Sequence, residues 1–212
     1  MRCYLTSKKL LVLALKIEKL TSNLYIYTMF IQTEETPNPN TLKFIPGVDV
    51  MGTGNAEFSS EEEAKNSPLA KCLFNIDGVQ SVFLGSDFIA VTKIDSLEWF
   101  SLKPAILAAI IEHYASGLPV VEILDEKASS ENETDSETVQ QIKHLIDTRV
   151  RPAVAMDGGD ITFSSYEDGI VTLQMRGACQ GCPSSAATLK MGIENMLRHY
   201  IPEVKEVRPA AS

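Results

Sequence analysis

Gly169-Ile170-Val171-Thr172-Leu173-Gln174-Met175-Arg176-Gly177-Ala178-Cys179-Gln180-Gly181-Cys182-Pro183-Ser184-Ser185 passes from a turn, through an alternating segment, into a loop rich in glycine and cysteine. Ile170 to Met175 alternate as a half-buried strand does. Past the cysteines, Ser184 or Ser185 is placed to cap a helix reaching Tyr200, and Pro202 ends it. A strand, a tight loop and a helix therefore follow one another directly. Gly177 and Gly181 let the backbone turn sharply, which predicts that both sulfurs are accessible.

Working outward, Val139, Ile142, Leu145, Ile146 and Val150 repeat with helical spacing as far as Arg151-Pro152, where the helix should bend or stop. Asp157-Gly158-Gly159-Asp160 reads as a tight turn; it lacks the remaining ligands of an acidic calcium loop. Ile161 to Ser164 pairs naturally with Ile170 to Met175 around Tyr166-Glu167-Asp168-Gly169, and Val204 to Val207 reads as a last strand. The order helix, strand, strand, helix, strand defines a small α+β domain over residues 137–208.

Upstream, residues 126–136 have Ala128 as their only apolar side chain, so nothing there offsets the entropy of ordering the backbone. We read this stretch as an acidic flexible linker, and residues 29–125 as a first domain. In it, Thr41 to Ile45 is extended, and Ser59 and Ser60 stand three residues before Glu62 and Glu63 in the pattern of a capped helix start. Ser67-Pro68 restarts a helix. Val79 to Leu84 and Phe88 to Ile94 form a hairpin about Gly85-Ser86-Asp87, and a long helix spans Trp99 to Ser116 before Gly117 and Pro119. The expected fold is α+β: two small α+β domains joined by that linker.

Residues 1–28 differ from this body. They carry five basic side chains against Glu18 alone, leaving 14 basic against 27 acidic in the remainder of a chain whose net charge is −9. This basic extension reads as a start assigned too early, a targeting segment or a genuine extension, with the first favoured. Its Lys-rich rather than Arg-rich character makes a poor transit peptide, so the expected location is a bacterial cytoplasm, with the mitochondrial matrix as the alternative. Its apolar run from Leu10 to Leu15 is far too short to span a membrane. The overall acidity argues against nucleic acid as a partner, because phosphate binding rests on clustered Lys and Arg.

Four cysteines, at 3, 72, 179 and 182, are too few for a disulfide framework in 212 residues. Cys72, between Lys71 and Leu73-Phe74, reads as a packed small hydrophobe. His113, His144 and His199 fall on predicted helices outside any zinc-finger spacing, and Trp99 and the methionines read as core or surface. No phosphate loop, nucleophile elbow or His-Glu-x-x-His helix is present, so catalysis has no evident seat and the chain does not read as an enzyme. Cys179 and Cys182 remain as metal ligands. The helix start, with Arg176 nearby, favours thiolate, although a helix end contributes only about 0.3 to 1 kcal/mol. Iron-sulfur clusters and thiolate zinc sites take about four donors, so two chains together would complete a site that one leaves half built. Disulfide exchange by C-x-x-C is the competing reading, and a dimer stapled by structural zinc is the third.

Met156-Asp157-Gly158-Gly159-Asp160, Gly169 to Leu173, Arg176 to Ser185, Thr188-Leu189-Lys190 and Ile201-Pro202-Glu203-Val204 together resemble the NifU-like C-terminal domain. Thr36-Pro37-Asn38-Pro39-Asn40-Thr41-Leu42-Lys43-Phe44, Ser67-Pro68-Leu69-Ala70 and Ala115-Ser116-Gly117-Leu118-Pro119 resemble the Nfu N-terminal domain. The resemblance implies an iron-sulfur cluster assembly protein. In it, Cys179 and Cys182 of two chains hold a [4Fe-4S] cluster, with [2Fe-2S] as the alternative, for delivery to apo-proteins. It further implies upstream cluster assembly proteins as partners and a homodimer when the cluster is bound. It assigns no comparable residue in the first domain.

Overall fold

The computed structural model describes residues 29–122, 136–180 and 183–210. The basic extension, Cys3, nearly all of the expected linker, Gly181, Cys182 and the side chains of Ser184 and Ser185 therefore lie outside the described residues.

In the first domain, β1 (Gln32–Glu35), β2 (Thr41–Ile45), β3 (Ala56–Phe58), β4 (Val79–Leu84) and β5 (Ile89–Lys93) form one antiparallel sheet in the order β1-β2-β5-β4-β3. Two helices, α1 (Pro68–Phe74) and α2 (Trp99–Ser116), cover one face. The alternation of the strands sorts their side chains onto two faces. Leu42, Phe44, Val82, Leu84, Ile89 and Val91 meet Leu69, Leu73, Leu102, Ile106 and Ile110 of the helices in the main core. Ile45, Phe83, Phe88 and Ala90 point the other way, and there they pack against Ala155 of the second domain. A sheet apolar on both faces is covered on both faces.

Ser59 and Ser60 do make a capping arrangement with Glu63: the Glu63 amide donates to Ser60 and the Ser59 amide donates to the Glu63 carboxylate. What they cap is a single 3-10 turn, Glu63–Asn66, and not an α-helix. The residue before a proline is pushed out of the helical region, and Ser67 is extended at φ −121° and ψ 99°, so the turn cannot propagate.

The second domain opens with α3 (Glu137–Leu145), a π-helical turn (Ile146–Val150) and α4 (Arg151–Met156). The chain does not stop at Pro152. Ile142, Ile146, Val150 and Val154, all buried, recur every four residues, which in a straight α-helix drifts about 40° per step. The wider π turn takes up that drift and keeps the four on one side. Pro152 then sits in the first turn of α4, at the junction with the π turn.

Strands β6 (Gly159–Glu167) and β7 (Ile170–Gly177) form a hairpin whose two connecting residues, Asp168 and Gly169, both have positive φ. Helix α5 (Pro183–Tyr200) returns the chain to β8 (Glu206–Pro209), which lies parallel to β7. The final strand begins two residues later than its sequence suggests, because the backbone from Val204 first closes a turn on Ile201. Among the described residues no helix is long and apolar enough to cross a membrane.

Candidate cysteine site

β7 delivers the chain to the loop and ends at Gly177, whose φ of +61° breaks the strand. The Ala178 amide then donates to the Gly158 carbonyl at 3.1 Å, and the Gln180 amide donates back to Gly177 at 3.0 Å. Cys179 sits inside this turn.

Its sulfur is not accessible as the sequence suggested. Cys179 is 7% exposed and packs with Ile142, Ile161, Leu173 and their neighbours in the second domain's core. The space for it is made by Gly159: a Cβ there would stand 2.7 Å from Cys179 Sγ and 2.8 Å from the Arg176 carbonyl oxygen. The turn Asp157-Gly158-Gly159-Asp160 is thus the floor of the cysteine loop as well as a reversal of the chain.

Asp160 is buried and engaged. Arg151 donates to both its oxygens, Nε at 2.8 Å and Nη2 at 3.0 Å, the Ile161 amide adds a bond at 2.8 Å, and Asn55 donates to it from the first domain. The carboxylate and the hydrogen bonds it accepts hold the Arg151 guanidinium above its ordinary pKa. The Arg176 guanidinium, expected to favour a cysteine thiolate, instead donates to Asn55 at 3.2 Å and Gln174 at 3.4 Å.

The first domain holds both sides of the turn. Glu57 on β3 accepts from the Gly177 amide at 2.9 Å, and Asn38 Nδ2 donates to the Gln180 carbonyl at 3.1 Å. Burial raises the Glu57 pKa, opposed by the Gly177 hydrogen bond and by Arg176, and reinforced by Glu63. Asn38 is aimed by its own loop: its Oδ1 accepts from the Asn40 amide, its amide donates to Thr36 Oγ1, and Nδ2 is left to cross to the second domain. Lys43 also crosses, donating to the Met156 carbonyl at 3.1 Å. A polar cavity of about 460 Å³ lies along this joint, reached by Asn38, Ser59, Gln80, Asp95, Gly177 and Gln180.

The other candidates stay out of the site. Cys72 packs against the first domain's core, and burial pushes its thiol pKa up, with Glu112 adding to the rise. His113 is buried in α2, while His144 and His199 are exposed. Among the described residues, no three His, Cys, Asp or Glu side chains gather as a metal site. The sequence reading missed the part played by Asn38, Asn55, Glu57 and Gly159. Asn38 and Gly159 carried a signal, in the Pro37-Asn38-Pro39-Asn40 loop and in the Asp157-Gly158-Gly159-Asp160 turn.

Residues 31–117 match the family described as Scaffold protein Nfu/NifU N terminal, and residues 142–208 match the NifU-like domain. The chain is 52% identical over 192 residues to the mitochondrial NFU1 iron-sulfur cluster scaffold homolog of Drosophila persimilis, covering 90% of this chain and 68% of that one. It is 54% identical over 182 residues to the protein of the same name in Drosophila willistoni, covering 85% and 63%. The chain thus spans about two thirds of the length of these curated relatives. A solution structure of a NifU-like protein from Saccharomyces cerevisiae aligns with 44% of this chain and 84% of its own, at 30% identity and a TM-score of 0.40.

Proposed function

This chain belongs to the Nfu scaffold-protein family, and on that footing we propose that it carries an iron-sulfur cluster between proteins and catalyses no reaction of its own. The cargo is a [4Fe-4S] cluster, held by the Cys179 and Cys182 thiolates of two chains and handed to apo-proteins by ligand exchange. Upstream assembly proteins supply it. The observation that carries this reading is the position of Cys179, in a turn between β7 and α5 within the NifU-like match. Two thiols in one loop are half of a cluster's usual ligand set, and a cluster held by two ligands per chain is easier to release than one held by four from one chain.

The relatives named above are insect proteins called mitochondrial. They do not support the bacterial cytoplasm expected from the Lys-rich extension, and we place the protein in mitochondria. Poor Arg content was too weak a ground for setting that location aside.

Anaerobic reconstitution with iron and sulfide tests the assignment. About four irons and four acid-labile sulfides per pair of chains are expected, with occupancy rising with protein concentration. Cys179→Ala and Cys182→Ala should each abolish binding while circular dichroism stays unchanged. A monomer that keeps a cluster through other residues would overturn it; disulfide exchange without iron, or zinc alone, would replace it by one of the competing readings.

A further inference from the structure

We propose that Asn38 and Glu57 of the first domain are positioning residues that latch the cysteine turn with its sulfur inward, so that the latch must open before a second chain can share the site. This rests on the two-chain reading above. A thiolate that bridges two chains has to face outward, whereas Cys179 is folded into its own domain's core over Gly159.

The turn that carries the sulfur is tied to the first domain at both its ends. Gly177 gives its amide hydrogen to Glu57, and Gln180 receives a hydrogen from Asn38. Phe83 closes the same end from β4: a Cβ on Gly177 would stand 3.0 Å from its ring and 2.7 Å from the Gly158 carbonyl oxygen. A backbone displacement that carries Cys179 out of the core would pull on Gly177 and Gln180, and so on both contacts.

The joint is built to open. Its apolar part is small, Phe83, Phe88, Ala90 and Ile45 against Ala155, and beside it Asn38 and Lys43 each donate one hydrogen bond, Asn55 donates to Asp160 and accepts from Arg176, and Glu57 accepts from Gly177. Interfaces of this mixed and polar kind permit relative domain motion. The loop from Thr36 to Asn40, held by its own hydrogen bonds, presents one amide group to one carbonyl across this joint.

The chemistry of the two side chains allows a selective test on the full apo chain. Asn38→Asp keeps the Oδ1 acceptor for the Asn40 amide but removes the donor to Gln180; Glu57→Ala removes the acceptor for Gly177, and Glu57→Gln retains one. The rate of iodoacetamide alkylation at Cys179, assigned by peptide fragmentation, should rise about tenfold in Asn38→Asp and in Glu57→Ala and stay near the wild-type rate in Glu57→Gln. Equal rates in all four chains would overturn the latch. So would a rise shared by Cys72, which packs against the first domain's core and reports unfolding. A faster Cys179 with no iron uptake in any chain would remove the carrier reading and leave the latch standing; equal Cys179 rates with normal iron uptake would remove the latch alone.

Discussion

A side chain at position 159 would have to occupy the space of the Cys179 sulfur and of two backbone atoms, the Arg176 carbonyl oxygen at 2.8 Å and the Cys179 amide nitrogen at 3.1 Å. Backbone of a paired strand cannot move aside as a flexible side chain can. Gly159→Ala should therefore cost about 1 to 3 kcal/mol in urea unfolding and lower the iron retained after reconstitution, although the added group is a single methyl. His113 makes a second prediction at this scale. It is buried, its Nε2 has no hydrogen-bond partner among the described residues, and burial lowers its pKa. Below pH about 6.5 the unfolded chain takes up a proton that folded His113 refuses, so stability falls as pH drops from that value toward the folded pKa. His113→Leu should flatten this part of the pH profile, measured as unfolding free energy at pH 7.5, 6.5 and 5.5; an unchanged slope would show that another group carries it. The site was half legible in the sequence for a reason of chemistry. Two cysteines three positions apart announce themselves, whereas Asn55 and Glu57 are common residue types that matter only through partners more than about 100 positions away.

At the scale of elements, caps and breaks did most to decide the boundaries. Ser67 accepts from the Ala70 amide at 3.1 Å at the start of α1, and donates to the Val120 carbonyl at 2.7 Å. It is fully buried, so its loss would leave the buried Ala70 amide and the half-buried Val120 carbonyl without this partner. Ser67→Ala should cost about 2 kcal/mol by chemical denaturation. Ser136 caps α3 through the Val139 amide but is exposed, and water can replace it, so Ser136→Ala should cost about 0.5 kcal/mol. Similar costs at the two positions would show that burial does not set the value of these caps. The same local chemistry explains which elements were legible. The helix over Trp99–Ser116, the strand Thr41–Ile45 and the hairpin of β4 and β5 were readable from periodicity and turn residues. β3 was not, since its three residues are too short to show alternation and it exists by pairing with β4. The π turn ahead of Pro152 was not legible either, because the four-residue spacing that demands it is also compatible with an ordinary helix until a core fixes which side must face inward.

At the scale of the molecule, the question is whether two matched domains behave as two bodies or one. Each has its own core, and each would be expected to unfold independently if the joint were only polar. The second apolar face of the first sheet argues for coupling. Phe88 is 3% exposed, lies against Phe83 with ring centroids 5.9 Å apart, and has the Lys43 ammonium 4.9 Å above its ring, while Lys43 itself reaches the end of α4. Ala155 closes this cluster from the second domain and belongs to no other core. A carboxylate there would replace apolar contact with the Phe83 and Phe88 rings by a charge that draws Lys43 off the Phe88 ring, so the joint would open before either core gave way. Ala155→Asp should accordingly resolve into two calorimetric transitions the single one expected of the native chain, with little change in circular dichroism at low temperature. It should also make Cys179 more reactive, because the separation that exposes Phe88 withdraws Asn38 and Glu57 from the turn. A single unshifted transition in the variant would mean that the apolar cluster does not couple the domains, and that the polar contacts around the cysteine turn hold the first domain in place alone.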